Sequence, residues 1–266
     1  MGKRVHNSAI LMPDGLATAF ASALAIEGLW WVVIGAFLAG VVRGFSGFGT
    51  ALIFLPFAAS VLSPLWALIA LVVMDIVGPL PNLRRAVRDG SIRDVGLLWG
   101  GMVVALPIGL WCLSLMEPAI FRYAVSAMAV IVPVLLIAGF RYRGPLTPPV
   151  MVVTGAFSGF LGGAAGLPGP PVILLFLGSR IRSTLTRANS MMYLFVFDVT
   201  LLVVLGVQGK LAWPPIMVGV VLIVPTLAGN ILGAAIFRPE YEGVYRVVAY
   251  ILVMVSAVMG LPIWDQ

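Results

Sequence analysis

Long, unbroken apolar runs, set apart by short polar or glycine-rich interruptions, make up almost the whole of this chain. They cover residues 29–42, 50–62, 65–83, 95–115, 120–140, 150–160, 171–177, 185–207, 214–237 and 244–261. The two-residue alternation of a barrel strand is absent, so each run reads as a helix that is apolar all round. A crossing helix needs about 20 residues, at 1.5 Å each, to cover a hydrocarbon core ~30 Å thick. Six of the runs approach or exceed that length: 65–83, 95–115, 120–140, 185–207, 214–237 and 244–261. The run 29–42 reaches only ~21 Å, and 50–62, 150–160 and 171–177 are shorter still. Each short pair flanks a break, RGFSGFGTALIFLP at 43–56 and GFLGGAAGLPGPP at 159–171.

The order short, break, short, long, long, long therefore occurs twice. At an offset of 120 the identities include Val32 with Val152, Gly35 with Gly155, Phe37 with Phe157, Gly49 with Gly169 and Ile53 with Ile173. A proline recurs inside the second long run of each half, as Pro107 and Pro225. The expected fold is an all-α polytopic membrane protein of two inverted repeats, each a pair of short glycine-interrupted helices followed by three full spans, about 8–10 membrane segments in all. The expected divisions are an N-terminal segment 1–28, a first repeat 29–140, a linker 141–149 and a second repeat 150–262, together one integral-membrane domain. In 1–28, Lys3 and Arg4 precede an apolar stretch ending on Ala21, Ser22 and Ala23, a superficial likeness to a secretory signal. Pro13 and Asp14 interrupt it, so a first membrane segment or an interfacial helix is expected instead.

Composition agrees with the pattern. Hydrophobic residues make up 61% of the 266 and charged residues 10%, against about 25% charged in a soluble domain; mean hydropathy is +1.12. The net charge of +6 does not point to nucleic acid, because the basic residues cluster in the connections. Arg84, Arg85, Arg88, Arg93, Arg141, Arg143, Arg180, Arg182, Arg187, Arg238 and Arg246 fall on one face when the long spans alternate, and only Arg122 and Lys210 fall in connections on the other. The positive-inside rule makes the rich face cytoplasmic. The loop RRAVRDGSIRD of the first half is then inside and its counterpart GVQGK outside, which inverts one half against the other.

Few residues can carry chemistry. His6 and Cys112 are the single histidine and cysteine, so no histidine-based catalysis, disulfide, CxxC pair or cysteine-ligated metal is expected, and no cofactor. GFSGFG lacks the spacing and the βαβ context of a dinucleotide fingerprint. Arg43 abuts the first break, and Asp75 and Asp198 lie within the first long span of each half. A charge at membrane depth costs ~2.5–3.5 kcal/mol on insertion scales and is retained for a partner or a function. The two acids read either as proton-coupling carboxylates or as structural salt-bridge partners of Arg43. The helix starts near Gly49–Thr50 and Gly169–Pro171 present amide N–H groups without internal partners, and the helix dipole favours a negative charge there. The substrate-binding candidates are Arg43, Gly44, Ser46, Gly47, Gly49, Thr50, Gly166 and Gly169. Asn189 and Asn230 are secondary lining candidates, with interhelical hydrogen bonding their default. The prolines 168, 170 and 171 carry no N–H, so the second half offers fewer donors. GxxxG spacings at Gly40/Gly44, Gly96/Gly100, Gly155/Gly159 and Gly229/Gly233 mark packing faces.

At GVVRGFSGFGTALIFLP and GAFSGFLGGAAGLPGPPVILLFL the chain resembles the sulfite exporter TauE/SafE family, also called TSUP, over most of residues 30–261. The commonest first motif of that family runs G-x-G-G-G; here Phe48-Gly49-Thr50-Ala51 carries fewer glycines and Arg43 precedes them. The resemblance implies a multi-pass inner-membrane transporter, not an enzyme, for sulfite, sulfonates or related organic anions, often in the export direction. Alternating access between inverted halves, with proton coupling, is the leading expectation. The alternatives are a passive anion channel, a carboxylate transporter or importer, a membrane-embedded enzyme and an accessory subunit. The partners expected are a small anion, protons and the lipid bilayer. Oligomeric state is not legible.

Overall fold

The computed structural model describes residues 13–46, 49–139, 142, 144–178 and 183–264. Gly47, Arg141, Arg143, Arg180 and Arg182 lie outside the described residues, as do Lys3, Arg4 and His6. The described chain is all helical: α1 (Pro13–Leu24), α2 (Leu29–Ser46), α3 (Thr50–Ala59), α4 (Pro64–Asp75), α5 (Leu80–Asp89), α6 (Ile92–Leu115), α7 (Pro118–Ile137), α8 (Pro148–Ala165), α9 (Gly169–Gly178), α10 (Ser183–Val207), α11 (Trp213–Ile236) and α12 (Glu242–Met259), with short 3-10 turns at Pro239–Tyr241 and Pro262–Trp264. Among the described residues, six helices are long and apolar enough to cross a membrane, namely α2, α6, α7, α8, α10 and α11; a seventh span results if α4 and α5 count as one.

The starts follow simple chemistry. Prolines open α4, α7, α8 and α11 within their first two positions, where a missing N–H costs nothing. Ser91 caps α6 by accepting from the Asp94 N–H at 3.3 Å. Gly166 ends α8 in the left-handed region, at φ 69°.

Several boundaries differ from the sequence expectation. The leading helix of each glycine-interrupted pair is not short. α2 and α8 have 18 described residues each, about 27 Å, and of the helices that follow the breaks α3 is short, at 10 residues. The helix runs on through Arg43 because that side chain finds a carboxylate. It runs on through Gly159 and Gly163 because α6 packs against both. The second break thus shrinks to Gly166–Pro168. The first long span of the first half is not continuous: α4 and α5 meet at a 75° bend across residues 76–79. Arg84, Arg85 and Arg88 therefore lie exposed on a helix rather than in a loop. Arg122 is not in a connection either. It is buried in α7 and donates to the carbonyls of Gly260 at 3.0 Å and Leu261 at 3.1 Å, closing the end of α12 where carbonyls lack helical partners.

α3 and the second half of α4 are buried on nearly every side, which puts them at the centre of the bundle. Around them the halves exchange partners. α6 of the first half runs along α8 of the second, and α11 of the second along α2 of the first. Both seams are glycine contacts at backbone distance. A Cβ on Gly229 would land on the Phe37 carbonyl of α2, and one on Gly101 would land on the Val152 carbonyl of α8. The Gly96/Gly100 spacing is not part of a seam: both face outward with nothing within 4 Å. α1 packs on α11.

Adjacent glycines therefore separate by function. Gly101→Leu should destabilise the protein by more than about 3 kcal/mol, since backbone cannot yield as a side chain does. Gly100→Leu should stay within about 0.5 kcal/mol. Thermal unfolding and monodispersity of the two variants in detergent check the contrast.

Candidate functional site

α2 delivers Arg43 one turn before its end, and α3 restarts at Thr50 after Gly49, whose φ of 98° only glycine adopts without strain. α4 ends on Asp75. From the other half, the segment Gly166–Pro168 and the start of α9 approach the same place, and α10 supplies Asp198. These groups line one cavity. Gly166 of the second break packs against α3 and α4 of the first half. A Cβ on Gly166 would be 2.8 Å from Leu55 of α3 and 3.0 Å from Leu68 of α4.

Arg43 forms an ion pair with Asp75 through Nη1 and Oδ1. The same nitrogen reaches Thr50 Oγ1 at 3.4 Å. Asp198 is 6% exposed and within electrostatic reach of Arg43. The rest of the wall is apolar, including Leu52, Leu71, Leu167, Ile173, Leu194 and Phe197. A single cation and two carboxylates are thus the charged groups lining the cavity among the described residues.

Amide donors are unequally shared. Gly49, Thr50, Ala51 and Leu52 all line the cavity, and the amides of the last three open α3, where no preceding turn can accept from them. At α9 only Gly169 carries an N–H among the first three residues, because Pro170 and Pro171 follow. In place of donors the second half contributes the Asp198 carboxylate.

Of the residues singled out from the sequence, the cavity brings together Arg43, Gly49, Thr50, Asp75, Gly166, Gly169 and Asp198. It does not include Gly44, Ser46, Asn189 or Asn230. Gly44 is used in packing, with the Asn230 carbonyl of α11 where its Cβ would be. The Ser46 hydroxyl turns back to the Val42 carbonyl at 2.7 Å. Asn189 is fully buried away from the cavity, and its Oδ1 accepts from the Ser91 N–H at 2.7 Å, tying α10 to the corner before α6.

Two further residues escaped the sequence reading. Tyr193 donates to Ser158 Oγ at 2.7 Å, and Ser158 donates in turn to the Pro168 carbonyl. Both side chains are fully buried. The chain of bonds pins the second break to α8 and α10. A signal was present: the tetrapeptide Phe-Ser-Gly-Phe occurs at 45–48 and again at 157–160, and a tyrosine inside a span needs a partner for its hydroxyl. Among the described residues no cluster of three or more His, Cys, Asp or Glu has metal-binding geometry.

Comparison with known proteins adds one finding. The family described as sulfite exporter TauE/SafE matches residues 32–259. No curated protein and no solved structure matches the chain. The match spans both breaks and every helix from α2 to α12, and the helices make this a multi-pass membrane protein. The chain belongs to the sulfite exporter TauE/SafE family, a family of membrane transporters for sulfur-containing anions.

Proposed function

We propose that this protein is a secondary transporter that exports a small sulfur-containing or organic anion across the bacterial inner membrane, by alternating access between two inverted halves. One observation carries the reading: both helix breaks, an arginine and two carboxylates meet at a single cavity inside an otherwise apolar bundle. Discontinuous helices at the interface of two halves are how secondary transporters build midplane sites. The exchanged pairing of α6 with α8 and α11 with α2 is the pattern that a twofold relation between halves produces. The exposed Arg84, Arg85, Arg88, Arg93 and Arg187 support a cytoplasmic assignment for their side.

In this reading Arg43 binds the anion, assisted by the Thr50 hydroxyl and the amides that open α3, with Gly49, Gly166 and Gly169 allowing close approach to the backbone. Arginine suits an oxyanion because its fork of donors matches two acceptor oxygens. Asp75 and Asp198 make transport proton-linked. With both ionised the cavity carries one net negative charge and repels an anion, by ~3 kcal/mol at ~5 Å and an effective dielectric near 20. Uptake of one proton removes that excess.

Proteoliposomes test this with sulfite, short sulfonates and small carboxylates, with and without a pH gradient. Arg43→Gln combined with Asp75→Asn, which leaves neither charge unpaired, should lower flux about 30–160-fold, as expected for losing a charged hydrogen-bond donor worth ~2–3 kcal/mol. Arg85→Ala, on the exposed face of α5, should leave flux within about twofold. Absence of flux for every anion in the panel would remove the transport reading.

A second measurement concerns coupling. Asp198→Asn should retain downhill flux yet fail to accumulate the anion when only a pH gradient drives it. Gradient-driven accumulation at the wild-type level would take Asp198 out of the coupling step.

A further inference from the structure

Asp75 and Asp198 look equivalent in the sequence, one in the first long span of each half. Their settings differ. Asp75 is the last residue of α4, at the corner where the chain turns 75° into α5, whereas Asp198 lies inside α10, which runs unbroken from Ser183 to Val207. Only Asp75 holds Arg43 in an ion pair. The corner also backs the guanidinium: a Cβ on Gly78 would be 3.5 Å from Arg43 Cζ. The bonds across it include two turn contacts, Gly78 N–H to the Asp75 carbonyl at 3.2 Å and Leu80 N–H to the Val77 carbonyl at 3.3 Å. Pro79 and Pro81 contribute no N–H there.

Arg43, Thr50 and Asp75 all line the cavity, and the paired side chains are 18% and 17% exposed. The cation an anionic substrate would seek is thus already engaged by a carboxylate, which offers the guanidinium the same kind of acceptor oxygens as a sulfur oxyanion. Asp75 is tethered a few ångströms away, so it competes at high effective concentration. A part-buried guanidinium stripped of its partner is strongly disfavoured, so the substrate and Asp75 must exchange rather than leave Arg43 bare.

We propose that Asp75 is a built-in competitor of the transported anion. It occupies Arg43 when the cavity is empty and yields to the substrate by a change at the α4–α5 corner. This inference rests on the reading of the cavity as the anion site. Its consequence is a division of labour: Asp75 resets the empty carrier, and Asp198, on a continuous helix, takes no part in the exchange.

The test is equilibrium binding of sulfite and of ethanesulfonate to the full-length protein in detergent. If the pair is closed about nine-tenths of the time, Asp75→Asn should bind either probe about tenfold more tightly than wild type, and Asp75→Glu should stay within about threefold. Asp198→Asn also removes a negative charge, but its gain should be smaller than that of Asp75→Asn. A readout on the unaltered protein guards against misfolding of the variants. Saturating sulfite should speed hydrogen exchange at the amides of Ile76, Val77, Gly78 and Leu80, measured by mass spectrometry. Asp75→Asn binding no more tightly than wild type overturns the inference, as does corner exchange that ignores sulfite, while wild-type binding leaves the anion site standing. Failure of the wild-type protein to bind either probe overturns the anion site itself, and the competitor with it.

Discussion

Backbone-to-backbone approach between glycine-bearing helices holds this bundle together. Among lipid tails there is no hydrophobic driving force between apolar helices, so close packing and polar contacts must supply the association. The two seams, α2 with α11 and α6 with α8, join opposite halves of the chain. Where a side chain would intervene, at Gly101 or Gly229, the partner's carbonyl already fills the space. These seams brace the surround, leaving α3 and α4 enclosed at the centre and both breaks on one cavity.

That enclosure sets the electrostatics. A single arginine lies on an apolar-walled cavity with two carboxylates, one bound to it and one nearby. In such surroundings each charge acts strongly on the others, because little solvent screens them. In the proposed function an anion entering the cavity contends with both acids, through proton uptake and partner exchange.

The halves are alike in plan but not in detail. α4 and α5 are bent sharply where α10 is continuous, and α3 opens with free amides where α9 opens with prolines. The first half thus holds the cation, the donors and a corner; the second holds a carboxylate on an unbroken helix and a break pinned by Tyr193 and Ser158. Exact symmetry would give both halves the same task. In the proposed function these departures give anion binding to the first half and the Asp198 coupling step to the second.

The membrane class, both breaks and the three charged residues that line the cavity, Arg43, Asp75 and Asp198, were legible in the sequence alone. They rest on local properties: apolar run length, glycine and proline placement, and the rarity of charge within spans. Tertiary structure alone decided how far each helix runs. α2 continues past Arg43 because Asp75 meets it, and α8 continues through Gly159 and Gly163 because α6 lies against them, neither of which a run of residues can reveal. Partner choice was decided there too. Gly44, Ser46 and Asn189 share the residue types of a binding site, yet they serve packing or backbone bonds, since a side chain's direction depends on what the rest of the fold places opposite it.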